Sequence, residues 1–130
     1  MEEKCLFCRL GKSNSSIFRD DICYVIPDKF PSEFGHILVI SEDHYENMLS
    51  APDDVAAHMF IVAKNYGIKL KNNLKSEGIN ITTNIGREAG QLINHFHIHI
   101  IPRYANPPKW FRKHAELKSE DVNKLKSILA

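Results

Sequence analysis

An α+β fold is predicted for this chain: a five-stranded antiparallel sheet, one long helix and a C-terminal helix packed on one side. Three observations predict it. Two short apolar runs flank Asp20-Asp21, which reads as a hairpin turn. Strand-like segments come two early, one in the middle and two late, split by a single stretch of helical period, so hairpins and one long crossover connect them. At 130 residues the chain has room for one core, giving a single domain over residues 1–130.

The elements follow in order. Ile17-Phe18-Arg19 and Ile22-Cys23-Tyr24-Val25-Ile26 are the hairpin strands. Residues 27–35 hold two prolines and a glycine and form a loop; residues 36–40 are the third strand. Ser50 with Asp53 three residues on resembles a capping box, and Pro52 suits a first helical turn. Val55, Met59, Val62, Tyr66, Leu70 and Leu74 then recur along one helical stripe, which Glu77-Gly78 ends. Ile79-Asn80-Ile81-Thr82-Thr83-Asn84 alternates as a strand, residues 86–90 are a glycine-flanked loop, and residues 95–101 are a strand stopped by Pro102. Asn106-Pro107-Pro108 breaks the chain. The last helix begins near Ser119, has Glu120 and Asp121 at its positive end, and carries Val122, Leu125 and Leu129 on one side. Such a small sheet keeps two open edges, which invite a second copy, so a homodimer is expected.

Composition narrows the function. Hydrophobic residues at 43% and charged residues at 25% are ordinary for a globular chain and argue against disorder. Seventeen Lys+Arg against sixteen Asp+Glu leave a net charge of +1, too balanced for a general binder of long nucleic acid. No apolar run nears the ~18–20 residues that span a bilayer, so no membrane partner is expected. The start Met1-Glu2-Glu3-Lys4-Cys5 is acidic and lacks a secretory core. A cytoplasmic location is expected, where three cysteines stay reduced.

The chemistry concentrates in Asn94-His95-Phe96-His97-Ile98-His99-Ile100-Ile101. A strand has a side-chain period of two, so His95, His97 and His99 form one row, with imidazoles roughly 6.5–7 Å apart, while Phe96, Ile98 and Ile100 face the core. Three imidazoles in a row serve no packing purpose. They suit either a metal or nucleophilic and acid–base catalysis. The preceding loop Gly86-Arg87-Glu88-Ala89-Gly90-Gln91 tips the balance to catalysis, because glycines let backbone N–H groups approach an anion.

The run from Asn84 to Arg103, with Asn, then Gly, then Ala89-Gly90-Gln91, then His95-x-His97-x-His99 and Pro102-Arg103, resembles the signature of the histidine triad (HIT) superfamily of nucleotide hydrolases and transferases. Gly35-His36-Ile37-Leu38-Val39-Ile40 resembles that family's upstream Gly-His-x-Leu-Val strand. The resemblance implies that His97 attacks the α-phosphorus of a purine nucleotide and forms a nucleotidyl-histidine that water hydrolyses. It implies that His99 contacts the phosphate, that His36 lies beside the nucleophile, and that Asn84, Gly90, Gln91 and Leu92 surround the phosphate. Asp28 falls where the family holds the ribose hydroxyls; its plain alternative is a turn residue in Pro27-Asp28-Lys29. Leu92 departs from the pattern, since many members carry Ser or Thr there. Leucine donates no proton, which puts the leaving group in question.

Cys5-Leu6-Phe7-Cys8 is a CxxC, redox-active or metal-binding. The zinc-containing branch of the family shares such a motif, a histidine after the Gly-His-x-Leu-Val strand and the first triad histidine. The resemblance therefore implies a structural zinc held by Cys5, Cys8, His44 and His95. Two alternatives stay open: a catalytic zinc on His95, His97 and His99, and a nucleotide-binding module without catalysis. Cys23 reads as core, His58 and His114 as exposed, and Lys109-Trp110-Phe111-Arg112-Lys113 as either a base-stacking or a subunit-packing segment.

Overall fold

The computed structural model describes residues 5–11 and 16–130. The acidic start at residues 1–4 lies outside them. The elements are α1 (Leu6–Leu10), β1 (Phe18–Arg19), β2 (Cys23–Pro27), β3 (Ile37–Ser41), α2 (Asp53–Asn73), β4 (Gly78–Thr82), β5 (His97–Arg103) and α3 (Ser119–Leu129). The five strands form one antiparallel sheet, as expected, and their order is β1-β2-β3-β5-β4.

Alternation along the strands builds two faces. Val25, Ile37, Val39, Phe96, Ile98 and Ile100 pack under Met59, Val62, Ala63, Tyr66 and Leu70 of α2. Burying each large apolar side chain contributes about 1.5–3 kcal/mol. On the opposite face Tyr24, Leu38 and Ile40 meet Phe7 of α1. The helices therefore do not all lie on one side. The one-turn α1 was not foreseen, because five residues carry no readable period. Register places His99 opposite Leu38 and His97 opposite Ile40, so both imidazoles share the α1 face.

Several boundaries differ from the sequence reading, among them the start of β5, at His97 rather than His95, and the end of β4, at Thr82 rather than Asn84. The capping box belongs to the short 3-10 turn Met48–Ser50, where Asn47 is the cap and Ser50 answers it; α2 itself starts after Pro52 with no side-chain cap. Asp53 and Asp54 sit at its positive end instead. The helix ends at Asn73 rather than near Gly78, because Lys75 adopts a left-handed backbone (φ 58°). Pro102 does not stop β5: it pairs with Ile79, in the stretch where β3 has already ended at Ile100, so its missing N–H can face the unpaired side.

Gly35 explains how His36 enters the sheet. Its φ is +98°, and a Cβ there would lie 2.6 Å from Leu74 and 3.1 Å from Pro102. Only glycine lets the chain turn this tightly between α2 and β5.

Candidate active site and metal centre

His97 and His99 reach a cavity of about 650 Å³ on the α1 face. Asp28, Asn84, Gly90 and Leu92 line it too, so most of the expected substrate residues converge. Gln91 does not line it. Its buried side chain brackets the loop, accepting from Gly86 N–H at 2.8 Å and donating to Glu46 O at 2.6 Å and Ile93 O at 3.0 Å. Its own N–H is committed to Gly86 O. Gly86 and Gly90 hold φ near +90°, and Asn84 Nδ2 donates to Gly90 O at 3.4 Å, tying the end of β4 to this turn.

The hydrogen bonds decide which nitrogen each imidazole offers. His97 Nδ1–H donates to its neighbour's carbonyl, His95 O, at 2.7 Å. The lone pair is then on Nε2. Burial lowers the His97 pKa, which keeps the ring neutral and nucleophilic. Ser32 N–H donates to His36 Nδ1 at 3.1 Å, so the His36 proton sits on Nε2. That proton faces His99 Nδ1 at 3.0 Å, with Asp28 Oδ2 at 3.4 Å. His99 accepts on Nδ1 and keeps a proton on Nε2. Burial, opposed by Asp28, pushes the His36 pKa down to about 4; burial and then His97 lower that of His99. His36 thus contacts His99 rather than His97: its ring centroid is 5.2 Å from His99, and His99 is 5.1 Å from His97. That last spacing is closer than an ideal flat strand predicts, because the rings lean edge to face.

His95 lies just before β5 and turns the other way. Its Nε2–H donates to Ser41 O at 2.7 Å, leaving Nδ1 as a ligand atom. Nδ1 stands 3.3 Å from Cys5 Sγ and 3.4 Å from Cys8 Sγ; Cys8 Sγ is 3.2 Å from His44 Nδ1. Edges of a tetrahedron with ordinary Zn–S and Zn–N bonds are ~3.5 Å, so two thiols and two imidazoles fit that ion. Backbone bonds from Ser41 N–H to Phe96 O and from Phe96 N–H to Tyr45 O hold the His44 loop beside His95. Among the described residues the triad row itself is not a possible metal group. A catalytic zinc on His95, His97 and His99 is thereby corrected: His95 turns Nδ1 to Cys5 and Cys8, whereas His97 lines the cavity with its Nδ1 bonded to His95 O. Two further groups are close enough on distance alone. In Asp28–His36–His99 the His36 nitrogen facing the others carries a proton. In Asp20–Cys23–His58 burial pushes the Cys23 thiol up to about 12, and Asp20 is taken by His58 at 2.6 Å. That ion pair half-buries His58, which was expected to be exposed.

The sequence reading missed the apolar walls, among them Leu6, Leu10, Ile26, Phe30, Leu117 and Val122. No local pattern marks them, since four elements far apart in the chain supply them. Trp110 packs edge-on against Phe34 of its own chain and stays 56% exposed.

With this geometry in view, the HIT domain family matches residues 10–106. The chain belongs to the histidine triad family. It is 38% identical over 107 residues to a HIT-like protein of Saccharolobus solfataricus, covering 80% of this chain and 77% of that one. It is 31% identical over 136 residues to an adenylylsulfatase of Arabidopsis thaliana (99% of this chain, 69% of that one). It is likewise 31% identical over 106 residues to an adenosine 5'-monophosphoramidase of Candida albicans (76% and 70%). A histidine triad nucleotide-binding protein of Sulfolobus tokodaii superposes with a TM-score of 0.88 at 35% identity, covering 96% of this chain and 89% of that one. A zinc-bound histidine triad protein of Mycobacterium smegmatis gives 0.83 at 26% (99% and 95%). Histidine triad proteins thus include nucleotide hydrolases, and the fold here is theirs. Within the described residues no helix is long and apolar enough to cross a membrane.

Proposed function

We propose that this histidine triad protein cleaves purine nucleotides at the α-phosphate through a nucleotidyl-histidine. The observation that carries this is the His97–His95 backbone bond, which leaves the lone pair on Nε2 of a ring lining the cavity. That nitrogen attacks phosphorus, the bond to the leaving group breaks, and the N–P adduct keeps its Nδ1 proton on His95 O. Water then attacks the adduct, frees the nucleoside monophosphate and restores the imidazole. His99 Nε2–H, Asn84 and the Leu92 amide are the donors for the phosphate oxygens. Asp28 is the ribose acceptor, although its Oδ1 already accepts Phe30 N–H at 2.9 Å, so the turn role and the ligand role coexist. Gln91 serves by shaping the loop. The phosphoramidase and adenylylsulfatase relatives support nucleotides with an amide or sulfate leaving group. Leu92, 91% exposed at the rim, gives the leaving atom no proton, which then comes from an imidazole or water.

We further propose a structural zinc on Cys5, Cys8, His44 and His95, supported by the zinc-bound relative. It would fasten α1, whose Phe7 ring lies 4.9 Å from that of His97. A second copy of the chain in the cytoplasm is proposed on the β4 edge and α2, where Ile81, Ile61 and Ile68 are large exposed apolar residues. Sedimentation of Ile61→Glu should report a monomer; an unchanged dimer would move the interface elsewhere.

The reaction is tested with a nucleoside phosphoramidate labelled at the α-phosphorus. The unchanged protein should carry label after an acid-free quench, and His97→Asn should carry none while melting normally. Label on His97→Asn, or equal turnover, removes the nucleophile from this position.

A further inference from the structure

The loop bearing Asp28 and Phe30 is held from outside by the chain that follows β5. The Tyr104 hydroxyl donates to Phe34 O at 2.8 Å, His114 N–H to Pro31 O at 2.7 Å and Leu117 N–H to Lys29 O at 2.8 Å. Trp110 sits edge-on to Phe34 at 5.0 Å, and Lys124 of α3 covers both rings at 5.3 and 5.5 Å. At the centre is Glu33, only 4% exposed. One of its oxygens pairs with Lys113 Nζ at 3.1 Å; the other, Oε2, is buried without a hydrogen-bond partner among the described residues. A buried carboxylate left half satisfied is costly, and the Lys113 charge is what offsets it. The next residue, His114, holds φ +64°, a conformation that a non-glycine residue keeps only when its neighbours impose it. Three residues further on, Leu117 enters the cavity wall, joined by Val122 from the first turn of α3.

We propose that residues 104–118 form a strap, latched by Lys113 on buried Glu33, which builds the base-end wall of the nucleotide cavity through Leu117 and Val122. Glu33 and Lys113 are positioning residues: neither lines the cavity, and both act through the strap. Asp28 marks the ribose end, so the apolar surfaces of Phe30, Leu117 and Val122 beside it face the base. This inference rests on the nucleotide reading above.

The test uses AMP titration by calorimetry, amide exchange by NMR and phosphoramidate kinetics. Lys113 is 58% exposed, so Lys113→Gln should fold. It should speed exchange at the His114 and Leu117 amides, weaken AMP about fivefold and raise KM by the same factor with kcat retained. Lys113→Arg should restore all three. Leu117→Ala should weaken AMP while the His114 amide stays protected. A Lys113→Gln variant that keeps both amides protected, or opens the strap yet binds AMP as the parent does, overturns the inference. A parent chain that binds no AMP overturns the functional reading, and the strap's role with it.

Discussion

His95 and His36 are both buried imidazoles set among side chains of metal-ligand type, one just before β5 and the other just before β3. Around His95, a carbonyl accepts the Nε2 proton and Nδ1 turns to two thiols. Around His36, a backbone N–H occupies Nδ1 and leaves the proton on Nε2, facing His99 and Asp28. One cluster can close on a cation; the other is a chain of donors ending at the cavity. The lesson is that residue type and proximity do not separate a metal site from a proton relay. The partner of the far ring nitrogen does.

The comparison can be broken from the metal side with the largest effect. Cys8→Ser, or prolonged chelation, should release zinc and destabilise the fold by several kcal/mol, because metal binding adds directly to folding free energy. Metal analysis with thermal unfolding checks this, and retained zinc with an unchanged melt would end the assignment. From the relay side, His36→Ala should lower turnover about a hundredfold, since His99 loses the donor that sets its tautomer. Its zinc content should equal that of the parent, and a variant that loses both would merge the two clusters.

Acid should separate them further. The His36 pKa is depressed in the fold, so the unfolded chain takes up its proton first as pH falls. Stability is therefore held above about pH 6.5 and lost from there down toward about 4, by on the order of 2–3 kcal/mol. Urea midpoints across that window should fall in the parent and fall less in His36→Gln, where the lowered His97 and His99 still contribute. The smallest effect belongs to the third group. His58→Ala removes a half-exposed pair with Asp20 and should cost no more than about 1 kcal/mol, with turnover and zinc both unchanged.

Much of this was readable along the chain. Alternation around Phe96, Ile98 and Ile100 located the core face, and the glycine-flanked turn before His95 brings Gly90 to the cavity. Boundaries were less legible where a local rule met a tertiary one. Ser50 looked like the cap of α2 but caps with Asn47 a turn earlier, and Leu74 continued the apolar stripe although Lys75 had already ended the helix. Gln91 looked like a ligand residue because it sits beside one. Its amide instead bonds to groups as distant in sequence as Glu46.

Residue order alone determined that His97 and His99 share a face, that Phe96 and Ile98 oppose them, and that a CxxC precedes a histidine-rich sheet. Those follow from the covalent period of a strand and from side-chain identity. Which nitrogen of each imidazole carries the proton was decided only by folding, because the deciding partners are main-chain groups of Ser41, His95 and Ser32, which have the same chemistry at every position in the chain. The cavity's apolar walls were decided there as well. Leu6, Phe30, Leu117 and Val122 have no pattern in common; they become one surface only when four separate segments close over the same sheet face.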